Sequence, residues 1–245
     1  AAELVGLKVD LIVAGSAVAI RAAQGATIKI PIVMAFSGED PVKGGFVASL
    51  GRPGGNVTGV TAIARDLTPK TLEMLRDAVP GLARVAILTN PARPEHAEYL
   101  RLIQAVRPQG MQLQVLEAEG PDQYAAAFAA MTRQHADGLV IFGDVMFTRD
   151  SERLAELARS HALPSVYLHK AFVVAGGLMT YGPDLRRLLD LAADYVDKIL
   201  RGEDAGRLPV QQPTTFKLII NMKTAKAIGL KIPLSLLHRA DEVIH

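Results

Sequence analysis

The sequence predicts an α/β protein with two doubly wound lobes, each a parallel sheet covered by helices. Three observations predict it. Short β-branched runs alternate with amphipathic helical stretches along nearly all 245 residues, the pattern of parallel strands joined by crossover helices. Two Gly-bounded breaks, near Val60 and Tyr181, set off a middle part with its own complete set of βα units. There are also more such units than one sheet of this size would comfortably hold.

Element by element, VDLIVAG (9–15) is a buried strand ending at glycine, and SAVAIRAAQGA is a helix with Ser16 placed to cap it. IKIPIVMAF (28–36) is the next strand, with Pro31 limiting its pairing to the residues beyond it. SGEDPVKGGFVASLG holds a turn and a short helix. GRPGGNVTGV (51–60) spends four glycines and a proline within a loop and leads into the β-prone NVTGVTAI.

Thr68–Pro69 reads as the start of a helix burying Leu72, Leu75 and Val79. RVAILTN is a strand, and a helix after Pro94 carries Leu100, Ile103 and Val106. Strands MQLQVLEA, DGLVIFGD and LPSVYL alternate with helices PDQYAAAFAAMTRQHA and TRDSERLAELARSHA. GGLMTYG is a short strand. In the helix PDLRRLLDLAADYVDKILRG, Leu185, Leu188, Leu189, Ala192, Val196, Ile199 and Leu200 form an apolar stripe that Gly202 ends. TTFKLIIN is a last strand, returning to the middle lobe's sheet, and MKTAKAIG a helix. These readings put residues 1–62 and 178–212 in lobe 1, and residues 63–177 and 213–245 in lobe 2. AAELVGLKVD, without a basic n-region or signal-peptide core, reads as a helix end running into a strand. It predicts an N-terminally incomplete lobe 1, whose strand 11–14 offers an edge for self-association.

Composition narrows the function classes. With 49% hydrophobic and 21% charged residues the chain is an ordinary globular protein. Its 27 basic and 25 acidic residues are dispersed, with no basic block for nucleic acid. The absence of cysteine excludes disulfides, thiolate metal sites and a Cys nucleophile. No apolar run reaches membrane-span length.

Dinucleotide and phosphate-loop glycine motifs, H-E-x-x-H and the G-x-S-x-G elbow are absent. The histidines are scattered, HAEY and SHAL read as solvated helix surface, and no metal or cofactor is expected. What remains is a set of polar residues at strand C-terminal ends, where open α/β sheets bind ligands. Ser16 and Ala17 follow LIVAG; Phe36, Ser37 and Asp40 follow or close VMAF; Asn90 follows VAILT, Asp144 follows LVIFG, and Tyr181 follows LMT. Caps and turns account equally well for Ser16, Asp40, Asn90 and Asp144, and core packing for Phe36.

FSGEDPVKGGFVASLGRPGGNVTGV resembles the signature of the tryptophan/tyrosine-type ABC transporter substrate-binding proteins. The likeness continues in order through LTNP, GGLMTYGPDL, YVDKILRGE, LPVQQPTTFKLIINMKTAKAIGLKIP and RADEVI. It implies a type I periplasmic-binding-protein fold, two lobes joined by three crossings, with a ligand held between them. It also implies a periplasmic or extracytoplasmic location, no catalysis and a membrane permease as partner. Where the family often has S-Y-G, this chain has Thr180-Tyr181-Gly182, and Thr89 stands where an aromatic often precedes Asn-Pro.

The competing classes are an enzyme on the same architecture, such as an amino-acid racemase, and the ligand-sensing domain of a regulator. The first usually needs a Cys pair or a phosphate loop, the second an attached effector segment. The expected ligand is a small amino-acid-like molecule with an apolar or aromatic body. Ser16 and Ser37 suit its carboxylate, Asp40 and Asp144 its ammonium, and Phe36 and Tyr181 its side chain.

Overall fold

The computed structural model describes residues 1–62 and 64–245, and the side chains of 1–62 and 67–245. In chain order the elements begin α1 (Ala2–Gly6), β1 (Ile12–Ala14), α2 (Ala17–Ala26), β2 (Ile32–Met34) and β3 (Val57–Gly59). Then come α3 (Ala64–Ala78), β4 (Arg84–Thr89), α4 (Pro94–Val106), β5 (Gln112–Glu117), α5 (Tyr124–Arg133) and β6 (Gly138–Ile141). They continue with α6 (Val145–Arg149), α7 (Ser151–Ser160), β7 (Ser165–Tyr167), α8 (Lys170–Val174), β8 (Met179–Pro183) and α9 (Leu185–Leu200). The last are β9 (Phe216–Asn221), α10 (Met222–Ala227), α11 (Leu234–Leu237) and β10 (Glu242–Ile244). The chain divides into two compact units, Ala1–Ile63 with Pro183–Thr215, and Ala64–Gly182 with Phe216–His245.

In the first unit, β1, β2 and β3 form a parallel sheet in that order. Successive side chains of β2 point to opposite faces, and both faces are covered. Ile32 and Met34 pack with Ile12, Ile20 and Val57 beneath α2. Val33 and Ala35 pack with Leu188, Ala192, Tyr195 and Ile199 of α9. Among the described residues β1 pairs on one side only, with β2. Strand pairing starts after Pro31, as a missing amide N–H requires.

The α9 stripe differs from the sequence expectation. Leu185, Leu189 and Leu200 are exposed, and the buried set is Leu188, Ala192, Tyr195 and Ile199. The stripe is therefore narrower than the leucines suggest. Tyr195 completes it because its hydroxyl donates to the Pro209 carbonyl, so its one polar atom is satisfied in the core.

In the second unit seven strands run in the order β10-β9-β8-β7-β6-β4-β5. The pairings β4–β5, β4–β6, β6–β7, β7–β8 and β9–β10 are all parallel. Val85 and Ile87 of β4 pack on one face with Leu75, Tyr99 and Ile103. Ala86 and Leu88 pack on the other with Phe128, Leu139, Ile141 and Leu154. Each fully buried aliphatic side chain contributes about 1.5–3 kcal/mol.

Four expectations need correction. The stretch SGEDPVKGGFVASLG holds turns and bends but no helix. The strand at 179–183, placed by the sequence in lobe 1 from residue 178, pairs with β7 in this second sheet, so the changeover comes after Gly182. The matching sequence junction at residue 63 lies outside the described residues. Helix α3 begins at Ala64, and Pro69 lies inside it rather than at its first turn. The stretch from Thr148 to His161 is not one helix. It breaks at Asp150, where α6 ends and α7 begins.

Glycine is required where the first break falls. Gly59 has φ +121°, and a Cβ there would lie 2.7 Å from the Met34 amide nitrogen. Only a residue without a side chain lets the chain leave β3 that close to β2. The N-x-T pattern at Asn56 is a structural amide, since its Nδ2 donates to the Thr27 and Ile30 carbonyls at 3.0 and 2.8 Å.

Candidate functional site

Strand order points to a candidate site in the second unit. From β4 the chain first steps to β5 on one side, and then returns to place β6 on the other. The gap between the carboxyl ends of β4 and β6 is thus the topological switch point, where open α/β sheets receive ligands. Asn90 follows β4 and Asp144 follows β6, 54 residues apart in sequence, and the fold joins them: Asn90 Nδ2 donates to Asp144 Oδ2 at 3.1 Å.

Local sequence holds Asn90 in place. It precedes Pro91, which disfavours helix at that position. Its Oδ1 accepts from Ala92 N–H at 3.0 Å and its carbonyl from Arg93 N–H at 3.0 Å, closing a tight turn. Pro94 then starts α4 with the φ a helix needs. Asp144 caps α6, its Oδ1 accepting from the amides of Met146 and Phe147 at 2.5 and 3.3 Å.

Two further residues, missed in the sequence, complete the cluster. Arg93 Nε lies 3.6 Å from Asp144 Oδ2, too far for a hydrogen bond, and that buried nitrogen has no hydrogen-bond partner. Its guanidinium also pairs with Glu95 Oε1 at 2.6 Å. His96 is buried, against the expectation of a solvated HAEY. Its Nδ1 accepts from the Asn90 amide at 2.9 Å, and its Nε2 lies 3.2 Å from the Gly143 carbonyl, to which it donates in that tautomer. One ring therefore ties the loop after β4 to the loop before Asp144. The ring packs edge-on to Phe142 with centroids 5.3 Å apart, and lies 5.7 Å from Tyr99. The signal was present in the sequence: His96, Tyr99 and Ile103 share one face of α4 at i, i+3 and i+7.

Burial pushes the His96 pKa below its ordinary value; the Gly143 carbonyl, Asp144 and Glu95 oppose this, and Arg93 adds to it. The sign of the pH dependence follows. Below about pH 6.5 the unfolded chain takes up a proton that the folded ring resists, so this contribution is complete above that pH and is lost as pH falls. We expect thermal midpoints to drop between pH 7 and 5, and the drop to shrink in His96→Asn. A pH-independent difference between the two proteins would refute this role.

The other expected site residues are placed as follows. Tyr181 lies in the middle of β8, partly exposed, its ring stacked on Phe216 with centroids 6.1 Å apart. In the first unit, Ser16 caps α2, its Oγ accepting from Ala19 N–H at 3.2 Å, and Ala17 is buried beside it. Phe36 packs part of its ring against the Val33–Leu188 cluster. Ser37 is buried and hydrogen-bonded to the backbone of Glu39. Asp40 caps a turn through the amides of Val42 and Lys43 at 3.0 and 3.2 Å. Asp144 differs from its expected role. Its side chain is only 3% exposed and both oxygens are engaged, so as placed it holds Asn90 and faces Arg93 rather than offering a free carboxylate. Among the described residues no group of acidic, His or Cys side chains has the arrangement of a metal site.

The comparisons with known proteins agree with this architecture. A model of the family described as ABC transporter substrate binding protein matches residues 1–244. A tyrosine-binding protein of Clostridioides difficile (strain R20291) is 26% identical over 232 residues, covering 94% of this chain and 66% of that protein. The chain thus spans just under two thirds of that relative. The crystal structure of a conserved domain protein from Vibrio cholerae O1 biovar El Tor superposes with a TM-score of 0.88 at 25% identity, covering 98% of this chain and 80% of that one. An ABC domain in complex with L-Trp from Streptococcus pneumonia gives a TM-score of 0.87 at 24% identity, covering 99% and 83%, a likeness of fold. The fold is that of type I periplasmic binding proteins. A family match over nearly every residue, on parallel sheets with a polar cluster at the switch point, settles membership: the chain belongs to the ABC transporter substrate-binding protein family.

Proposed function

We propose that this chain is the extracytoplasmic solute receptor of an ABC importer, capturing a small amino acid with an aromatic or apolar side chain and delivering it unchanged to a membrane permease. The two compact units serve as its lobes. The observation that carries the reading is the Asn90–Arg93–Asp144 cluster at the switch point of the seven-stranded sheet. An Arg guanidinium and an Asn amide meet there, donors of the kind that the carboxylate of an amino acid needs. The tyrosine-binding relative and the L-Trp-bound neighbour of the same fold support an aromatic amino acid. Tyr181 supplies an aromatic wall from β8, and in the first unit Ser16, Ala17, Phe36, Ser37 and Asp40 supply the contacts of that lobe.

Calorimetry of the purified protein tests this with L-tyrosine, L-tryptophan and L-leucine, and with a hexose and inorganic phosphate as controls. One of the aromatic amino acids is expected to bind at about 1 μM or tighter. Tyr181→Ala should weaken that binding. Silence with all three amino acids, or tight binding of either control, would overturn the assignment.

A further inference from the structure

The row of strand ends in the seven-stranded sheet holds one more polar side chain. β7 lies between β6 and β8, so its continuation, Leu168–His169, falls between the end carrying Asp144 and the strand carrying Tyr181. Both neighbours present glycine to Leu168. A Cβ on Gly143 would come within 2.9 Å of Leu168 Cδ1, and one on Gly182 would overlap the Leu168 carbonyl oxygen. The backbone entering His169 is thereby fixed, and His169 is extended at φ −112° and ψ 135°.

The ring itself is partly buried, yet among the described residues it makes no hydrogen bond; only the His169 backbone carbonyl is used, accepting from Phe172 N–H. His96, by contrast, uses both ring nitrogens. Burial lowers the His169 pKa and so favours the neutral ring. A neutral imidazole carries one N–H donor and one lone pair. Neither ring nitrogen is among the sealed, partnerless atoms of the described residues, so the donor and the lone pair are open to a bound molecule.

We infer that His169 is a direct ligand contact, its imidazole giving one donor and one acceptor to the polar head of the amino acid. The inference rests on the receptor reading above. It adds a specificity residue midway along the row, between the switch point and Tyr181.

Calorimetry with L-tyrosine and L-tryptophan on wild type, His169→Phe and His169→Gln tests it, together with thermal melts of the ligand-free proteins. His169→Phe is expected to bind about tenfold more weakly or worse, the scale of one or two lost hydrogen bonds. Its ligand-free melting temperature should be unchanged or raised, because no hydrogen bond within the protein is lost. His169→Gln, which keeps a neutral donor and acceptor, should recover most of the affinity. Should His169→Phe fail to fold, a His169→Gln variant that folds but binds ten times more weakly would also count against the inference. If wild type binds and His169→Phe binds equally well, the receptor reading stands and the inference falls. If wild type binds neither amino acid, the receptor reading falls and the inference falls with it.

Discussion

Gly182→Ala is expected to cost more than about 3 kcal/mol, enough to unfold much of the second unit under mild denaturant. The reason is a contact with backbone rather than side chain. A Cβ at 182 would overlap the Leu168 carbonyl oxygen and lie 2.9 Å from the Leu168 carbonyl carbon. Those atoms cannot rotate aside, so β7 and β8 would have to part at the end where the candidate site lies. Gly143→Ala is the internal control. Its new Cβ would meet Leu168 Cδ1 at 2.9 Å, the tip of a flexible side chain, and should cost less than about 1.5 kcal/mol. Urea unfolding of both variants decides the matter. A Gly182→Ala midpoint equal to or above that of Gly143→Ala would show that the strands yield more easily than this geometry implies.

The fold was legible because its signals are local. Ile32 and Met34 alternate with Val33 and Ala35 across β2, and each pair meets its own helix, so a period of two in four residues encodes a doubly covered sheet. Ser16 is read as a cap from its place before a helical run, and it caps. Residues whose role depends on a distant partner were less legible. Asn90 and Asp144 are visible as strand ends, but their hydrogen bond is set by strand order, which no local pattern reports. Arg93 was missed for the same reason: beside its local pair with Glu95, its approach to Asp144 depends on a second strand end. His96 was misread for a different one. Its neighbours Glu95 and Glu98 make the stretch look polar, and the face it shares with Tyr99 and Ile103 emerges only over two helical turns. The changeover at Gly182 rather than residue 178 is a register effect. GGLMTYG reads as a strand in either lobe, and only the pairing of Met179 with Val166 and Thr180 with Tyr167 assigns it.

Asp144→Ala is expected to destabilise the second unit by about 3 kcal/mol and to weaken amino-acid binding at least tenfold. The carboxylate has three tasks: it caps α6 through two amides, orients the Asn90 side-chain amide at 3.1 Å, and neutralises the Arg93 guanidinium at 3.6 Å. A lost cap costs about 1 kcal/mol. Leaving the buried Asn90 amide without its acceptor costs about 1–2 kcal/mol, and Arg93, 24% exposed and still paired with Glu95 at 2.6 Å, adds less than about 1 kcal/mol. Asp144→Asn separates these tasks. Asn caps a helix as well as Asp does, so a residue that is only a cap would be rescued in full. If it also balances Arg93, Asp144→Asn should remain less stable than wild type by up to about 1 kcal/mol. A double-mutant cycle with Arg93→Ala completes the test. Residues in one charge network couple, and we expect an interaction energy of up to about 1 kcal/mol between positions 93 and 144. Additive effects, together with full rescue by Asn, would reduce Asp144 to a helix cap and leave Glu95 as the partner of Arg93.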